Sequence, residues 1–206
     1  MKIVVYQAIF GGRDDYWPPL YLPKDVHYHF IMGQGGTMEA KRFKILPHRY
    51  FENYDISVWM DGNFQLTGDI SKVIDKFMGK SSFAVLRHPA ENLGIVPTVY
   101  REAEVAILQK TEQAARIKEQ IKRYRKEGLP LDTEVTMNGI IIRKHNEPKV
   151  RAACEAWWRE IKDSSSRDQI SFPYICWKFG LKYAKMDNVE FASNWFQYRP
   201  HKGARK

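Results

Sequence analysis

SVWMDGNFQL, residues 57–66, sets an apolar run against a polar stop. Ile56 to Met60 has the β-branched and aromatic content of a buried strand, and it ends abruptly on Asp61-Gly62-Asn63. Two explanations fit. One is a turn, since glycine takes positive φ and Asp or Asn bonds the nearby backbone. The other is a cation site at the carboxyl end of a sheet strand, where open α/β sheets place their ligands. Taken alone, the ten residues favour the turn. Their surroundings decide.

Outward from this stretch the same alternation recurs. KIVVYQAIF (2–10) and DVHYHFIM (25–32) are β-rich runs closed by Gly11-Gly12 and by GQGG (33–36). SFAVLRH (82–88) and TMNGIIIRKHN (136–146) add two more strands to YDISVWM (54–60). Helical stretches lie between them. In DISKVIDKFMGK (69–80), Ile70, Val73, Ile74, Phe77 and Met78 follow the spacing of one buried helix face, and Gly79 is placed to end it. Residues 98–127 read as one long helical region stopped by Gly128 and Pro130. Residues 147–163 read as a helix with Pro148 near its first turn, and 164–180 as N-cap-type serines followed by a helix. AKRFKILPHRYF (40–51) has the basic-aromatic character of a surface segment or short helix, and 191–206 show no clear period. Strands alternating with helices from end to end predict an α/β fold, an αβα sandwich around a mixed, mainly parallel central sheet. No linker or break in composition interrupts the chain, so a single domain over 1–206 is expected.

The net charge of +9 points to anionic partners: phosphates, nucleotides, nucleic acid or an acidic membrane surface. An apolar fraction of 44% excludes a disordered chain. No window approaches the roughly 18 apolar residues that a membrane span needs. The opening MKIVVYQAIFGGRDD lacks the longer apolar core and cleavage site of a signal peptide. Cys154 and Cys176, without CxxC spacing, read as reduced thiols. A cytoplasmic protein in peripheral contact with an anionic membrane is the expectation.

No GxxxxGK[ST], GxGxxG, GxSxG or HExxH motif appears, which leaves P-loop, dinucleotide, serine-hydrolase and zinc-hydrolase chemistry without support. What remains is polar residues at the ends of successive elements: Asp61 and Asn63, Arg87 and His88, Arg143, Lys144 and His145, and Arg167, Asp168 and Gln169. Each alone is explained by a turn or a solvated face. In a parallel sheet such ends converge on one edge. A carboxylate with several cations suits a diphosphate bound through Mg²⁺ or Mn²⁺.

Six stretches in order carry a resemblance: K-x-x-P-H-R-Y-F-x-x-Y-D-I-S-V-W-M-D-G-N (44–63), FAVLRHP (83–89), VYREAE (99–104), IIIRKHN (140–146), WWREI (157–161) and SRDQISF (166–172). Together they resemble the glycosyltransferase-like domain family of plant seed-mucilage and pollen proteins and of bacterial and phage polysaccharide proteins. That family is similar to the GT-A glycosyltransferases, with a Rossmann-type sheet. The resemblance implies a nucleotide-binding half (1–63), an acceptor half (64–198) and a basic C-terminal tail (199–206). It places Asp61-Gly62-Asn63 at the D-x-D position that holds a divalent cation, Mn²⁺ or Mg²⁺, on the donor diphosphate, and it reverses the preference for a turn. The second acid is here an amide, which can ligate but adds no charge. Tyr6, Ala8, Gly11, Arg13 and Asp14 (or Asp15) would meet base and ribose. Arg49, Arg87, His88, Arg143 and His145 would serve the phosphates. Asp168-Gln169 resembles the acid–amide pair that glycogenin-like enzymes place near the transferred sugar. Pro200-His201-Lys202-Gly203 resembles their C-terminal segment, with His201 on the metal and Lys202 on phosphate.

The implied reaction moves a sugar from a nucleotide-sugar donor to a glycan or glycolipid acceptor. Asp168 is the candidate general base or, with Arg167 as salt partner, the group that positions sugar hydroxyls; Gln169 stands beside it. Trp59, Tyr100, Trp157 and Trp158 are candidates for sugar stacking, although adjacent tryptophans on a helix put at least one in the core. Three alternatives remain open: a non-catalytic sugar-binding relative, a nucleic-acid-binding module, and nucleotidyl transfer on a similar fold, which needs a glycine-rich first loop with a Lys or Arg signature that GGRDD only faintly suggests. The second lacks a recognised motif, so no nucleic-acid partner is expected.

Overall fold

The computed structural model describes residues 1–109, 113–187, 190 and 194–202. Its strands are β1 (Ile3–Phe10), β2 (Val26–Gly33), β3 (Ile56–Met60), β4 (Phe64–Leu66), β5 (Phe83–Leu86), β6 (Met137–Arg143), β7 (Ala184–Met186) and β8 (Phe196–Tyr198). Its helices are α1 (Thr37–Ile45), α2 (Ile70–Phe77), α3 (Val99–Leu108), α4 (Ala114–Glu127), α5 (Pro148–Asp163) and α6 (Asp168–Phe179). Six strands form one sheet in the order β2-β1-β3-β6-β5-β7, and β4 pairs with β8 in a small second sheet. β1 runs parallel to β2 and β3, and β5 parallel to β7, while β6 runs against both of its neighbours. The expected α/β sandwich with a mixed, mainly parallel sheet is what the chain forms.

Every residue of β3 and β5 is buried, which requires cover on both faces of the sheet. Successive side chains divide accordingly. Val4, Tyr6 and Trp59 join one core with Ile45 of α1, Ala103 of α3, Trp157 of α5 and Phe172 of α6. Ile3, Val5 and Val58 join a second core with Ile70, Val73 and Ile74 of α2 and with Phe64 and Phe196 of the small sheet. At about 25 cal/mol per Å² of apolar surface removed from water, these two layers supply the main force holding the sandwich together.

One expectation needs correction. Residues 98–127 are not one helix. α3 ends at Leu108 and α4 starts at Ala114, and the two pack against each other, with Ala106, Ile117 and Tyr124 in the same core. A straight helix of that length would span roughly 45 Å and could not return to one core. Of the two readings of 40–51, a surface segment or a short helix, the helix forms, as α1, and it gives way to a 3₁₀ turn at Pro47–Arg49. The three short strands β4, β7 and β8 lay in stretches with no readable alternation. The tail beyond Lys202, Gly203 included, lies outside the described residues.

Candidate functional site

Because β1 and β3 are parallel, with Tyr6 opposite Trp59, they deliver Phe10-Gly11 and Asp61 to the same edge of the sheet. β6 enters at that edge. The Asp61 N–H donates to the Gly139 carbonyl at 2.8 Å. Two further elements converge there. α1 presents Lys41 and Lys44 at i, i+3 on one face, and α6 begins with Asp168.

Four charged side chains meet. Lys44 Nζ donates to Asp61 Oδ1 at 3.1 Å and reaches Asp168 Oδ2 at 2.8 Å; Lys41 Nζ donates to Asp168 Oδ1 at 2.8 Å. Asp61 Oδ1 also accepts from Trp59 Nε1 at 2.7 Å. Burial pushes the Asp168 carboxyl up, but the charges and hydrogen bonds of Lys41 and Lys44 outweigh it and hold the group far below the usual carboxylate range. Burial likewise works against the Lys44 ammonium, and Asp168 and Asp61 overcome it, leaving it protonated above the ordinary lysine value. Asp168 borders three adjoining clefts of about 220, 450 and 180 Å³. Asp61 and Lys44 border the first and third, Arg167 the second, and Gln169 the second and third.

The C-terminal segment closes on the first cleft. His201 Nδ1–H donates to Asp14 Oδ1, and Asn63 Nδ2 donates to His201 Nε2 at 3.4 Å. Lys202 pairs with Asp15 at 2.8 Å. Gly62 is required by this packing, since a Cβ there would stand 2.9 Å from Asp14 Oδ2 and 2.9 Å from Ile9 Cγ1. Asn63 Oδ1 is buried and has no hydrogen-bond partner among the described residues. Among the described residues no three His, Cys, Asp or Glu side chains group as a metal site. The Asp61 carboxylate, Asn63 Oδ1 and His201 Nε2 are the donors a divalent cation would use, but Asn63 Nδ2 occupies the Nε2 lone pair, so the amide would have to turn over for its oxygen to face the same cation. The orphaned amide oxygen is a hard donor, and Asp14 fixes the imidazole with Nε2 as its lone-pair atom.

Of the residues expected at the site, Ala8, Arg13, Asp14, Asp61, Gly62, Asn63, Arg167, Asp168, Gln169 and His201 line these clefts. Others are placed elsewhere. Since β6 is antiparallel, Arg143 lies opposite Ser57, and Arg143 and His145 fall at the far end of the sheet from Asp61. Arg143 is buried, donating to the Lys44 carbonyl and, at 2.8 Å, to Tyr6 Oη. Tyr6 is therefore a core residue and not a base contact. His145 donates from Nε2 to the Phe51 carbonyl at 2.8 Å. Arg49 pairs with Glu155 at 2.7 Å on the surface. Arg87 leaves β5 two strands away and pairs with Glu91, and His88 Nδ1 caps the following 3₁₀ turn at Ala90. Gly11 has φ 66°, and a Cβ there would stand 2.8 Å from the Gly35 carbonyl oxygen, so only glycine fits this turn. Arg167 does not pair with Asp168; it holds Glu102 at 2.7 Å. Trp157 and Tyr100 are buried in the core, and Trp157 Nε1 donates to Ser171 Oγ at 2.9 Å. Lys41 and Lys44 were not foreseen. Their signal was a lysine pair at helical spacing among Phe43, Ile45 and Leu46, too apolar a setting for a solvated face.

No helix among the described residues is long and apolar enough to cross a membrane, and both cysteines are free and buried.

A family model described as TOD1/MUCI70, glycosyltransferase-like domain, matches residues 34–199. The probable hexosyltransferase MUCI70 of Arabidopsis thaliana is 28% identical over 170 residues, covering 75% of this chain and 27% of that protein. Alkaline ceramidase TOD1 of Arabidopsis thaliana is 25% identical over 142 residues, covering 64% of this chain and 30% of that protein. The chain thus spans less than a third of the length of these curated relatives. Among solved structures, the apo WbbM bifunctional glycosyltransferase aligns with a TM-score of 0.48 at 11% identity, over 90% of this chain and 38% of that one.

Proposed function

Because this chain belongs to the TOD1/MUCI70 glycosyltransferase-like domain family, we propose that it transfers a sugar from a nucleotide-sugar donor to a hydroxyl of a polysaccharide or glycolipid acceptor. The observation that supports this best is the union of Asp61 and Asp168 through Lys44, at the point where three clefts meet. One cleft would take the nucleotide, with Arg13 and Asp14 along its wall, and the others the sugar and the acceptor.

The reaction forms a bond from the acceptor oxygen to the anomeric carbon and breaks the bond from that carbon to the diphosphate oxygen, which leaves with the bonding pair, while the acceptor's hydroxyl proton passes to the departing diphosphate or to water. Negative charge builds on the departing nucleoside diphosphate, and fixed positive charge beside it lowers the barrier. Lys44 and Lys41 are held in place by carboxylates before any substrate arrives, so they need no reorganisation. Asp61, Asn63 and His201 would hold Mn²⁺ or Mg²⁺, which when bound neutralises charge on the leaving group. Asp168 is so firmly ionised that it is a poor proton acceptor. Holding sugar hydroxyls by accepting their hydrogen bonds suits it better than general-base catalysis. The net charge of +9 supports a peripheral setting on an anionic membrane surface, and a cytoplasmic location is part of the same proposal.

A thermal-shift screen of nucleotide sugars, with and without Mn²⁺, tests the donor site, since a ligand that binds only the folded state raises the melting temperature. A shift with one donor and its hydrolysis or transfer support the proposal. Binding without turnover leaves a non-catalytic sugar-binding domain. Fatty-acid release from ceramide, with no response to any nucleotide sugar, ends the proposal in favour of the activity named for the second relative.

A further inference from the structure

The cleft at Asp61 holds its own counter-cation. Lys44 Nζ lies 3.1 Å from Asp61 Oδ1 and 2.8 Å from Asp168 Oδ2, on a side chain only 6% exposed. The carboxylate that ends β3 is already paired, and Asn63 next to it adds an oxygen but no charge. Three cations, Arg13, Lys41 and Lys44, and three carboxylates, Asp14, Asp61 and Asp168, border this cleft. Such a lining has no net negative charge with which to draw a bare divalent cation out of its hydration shell. A diphosphate changes the balance, because its oxygens ligate the cation and bring the charge that the protein withholds.

We propose that Lys44 is a positioning residue that keeps Asp61 paired, so that the cleft takes up a divalent cation only together with a diphosphate. The proposal rests on the donor-site function given above. A lysine that merely tied α1 to α6 would leave cation affinity unmoved.

Titration of Mn²⁺ into the purified full chain, followed by calorimetry and by loss of the free-ion paramagnetic resonance signal, tests this. Wild type is expected to bind Mn²⁺ weakly alone and tightly once UDP, GDP, CDP or ADP is present. Lys44→Met should bind Mn²⁺ alone about ten- to hundredfold more tightly than wild type, since a cation a few Å from a carboxylate shifts its charge equilibrium by that order. Lys44→Arg should behave as wild type, and adding Asp61→Asn to Lys44→Met should abolish the gain. Should Lys44→Met not fold, the wild-type titrations with and without nucleotide decide. Mn²⁺ affinity that is equal with and without nucleotide overturns the proposal, as does a Lys44→Met variant with unchanged affinity. A nucleoside diphosphate that binds as well in chelator as in Mn²⁺ keeps the donor site and overturns the role of Lys44. Failure of every nucleoside diphosphate to bind removes the donor site, and this proposal with it.

Discussion

Lys44 Nζ stands 2.8 Å from Asp168 Oδ2, on side chains 6% and 13% exposed. The pair joins α1 in the first quarter of the chain to the first residue of α6. Through Asp61 it also joins both to the end of β3. A buried ion pair of this kind is weak evidence for stability, because desolvation opposes the attraction, but breaking one partner leaves an uncompensated charge. The contact therefore links integrity of the fold to integrity of the site.

Asp168→Asn should lower both turnover and stability. Turnover is expected to fall about 10²-fold or more, and stability by about 3 kcal/mol, since Lys41 and Lys44 lose a buried partner. The folded carboxyl titrates far below its unfolded value near 3.9. Its stabilisation is thus complete above about pH 4 and is lost as pH falls below it. Urea melts of both proteins at pH 7 and pH 3 should show the gap narrowing at the lower pH. An acidic limb in the rate profile between pH 5 and 7 that vanishes in the variant would instead make Asp168 the base.

Gly62→Ala should damage the cleft more than the fold. The added methyl meets Asp14 Oδ2 and Ile9 Cγ1, each at 2.9 Å, and must displace Asp14 from His201. We expect a stability loss of about 1–3 kcal/mol and roughly tenfold weaker donor binding, near 1.4 kcal/mol. Donor binding at wild-type strength would show that the Asp14–His201 contact has no part in it.

His145 makes stability depend on pH far from the site. Burial first, then the Arg143 guanidinium, lowers its pKa to about 4 against a Phe51 hydrogen bond that raises it. Below the unfolded value near 6.5 the unfolded chain takes up a proton that the folded chain refuses. Stability from this group is therefore full above pH 6.5 and falls by on the order of 3 kcal/mol as pH drops towards 4. His145→Gln should flatten that part of the curve; an unchanged slope would place the effect elsewhere.

The sheet and its helices were legible because burial on both faces writes long apolar runs, as in Ile3–Phe10, and one-sided cover writes a helical period, as in Ile70–Phe77. The short strands Phe64–Leu66 and Ala184–Met186 were not, since three residues carry no alternation. At the site, Asp61 was legible from an apolar run ending on an acid. The direction of β6 was not, because no residue pattern of a buried strand tells parallel from antiparallel. That one reversal moved Arg143 and His145 from the cleft to the far end of the sheet. Lys44 was hidden for another reason: its partners lie 17 and 124 positions away, and only folding brings them to it.

Release of nucleoside diphosphate from a panel of nucleotide sugars in Mn²⁺, by wild type and by Asp61→Ala, tests the donor-site function most directly. Wild type is expected to cleave at least one donor. Asp61→Ala should lose at least about 10²-fold of that rate, and its Mn²⁺-dependent donor binding, while its circular dichroism remains that of the folded chain. Equal release by both proteins with the same dependence on Mn²⁺, or release from no donor at all, would contradict it.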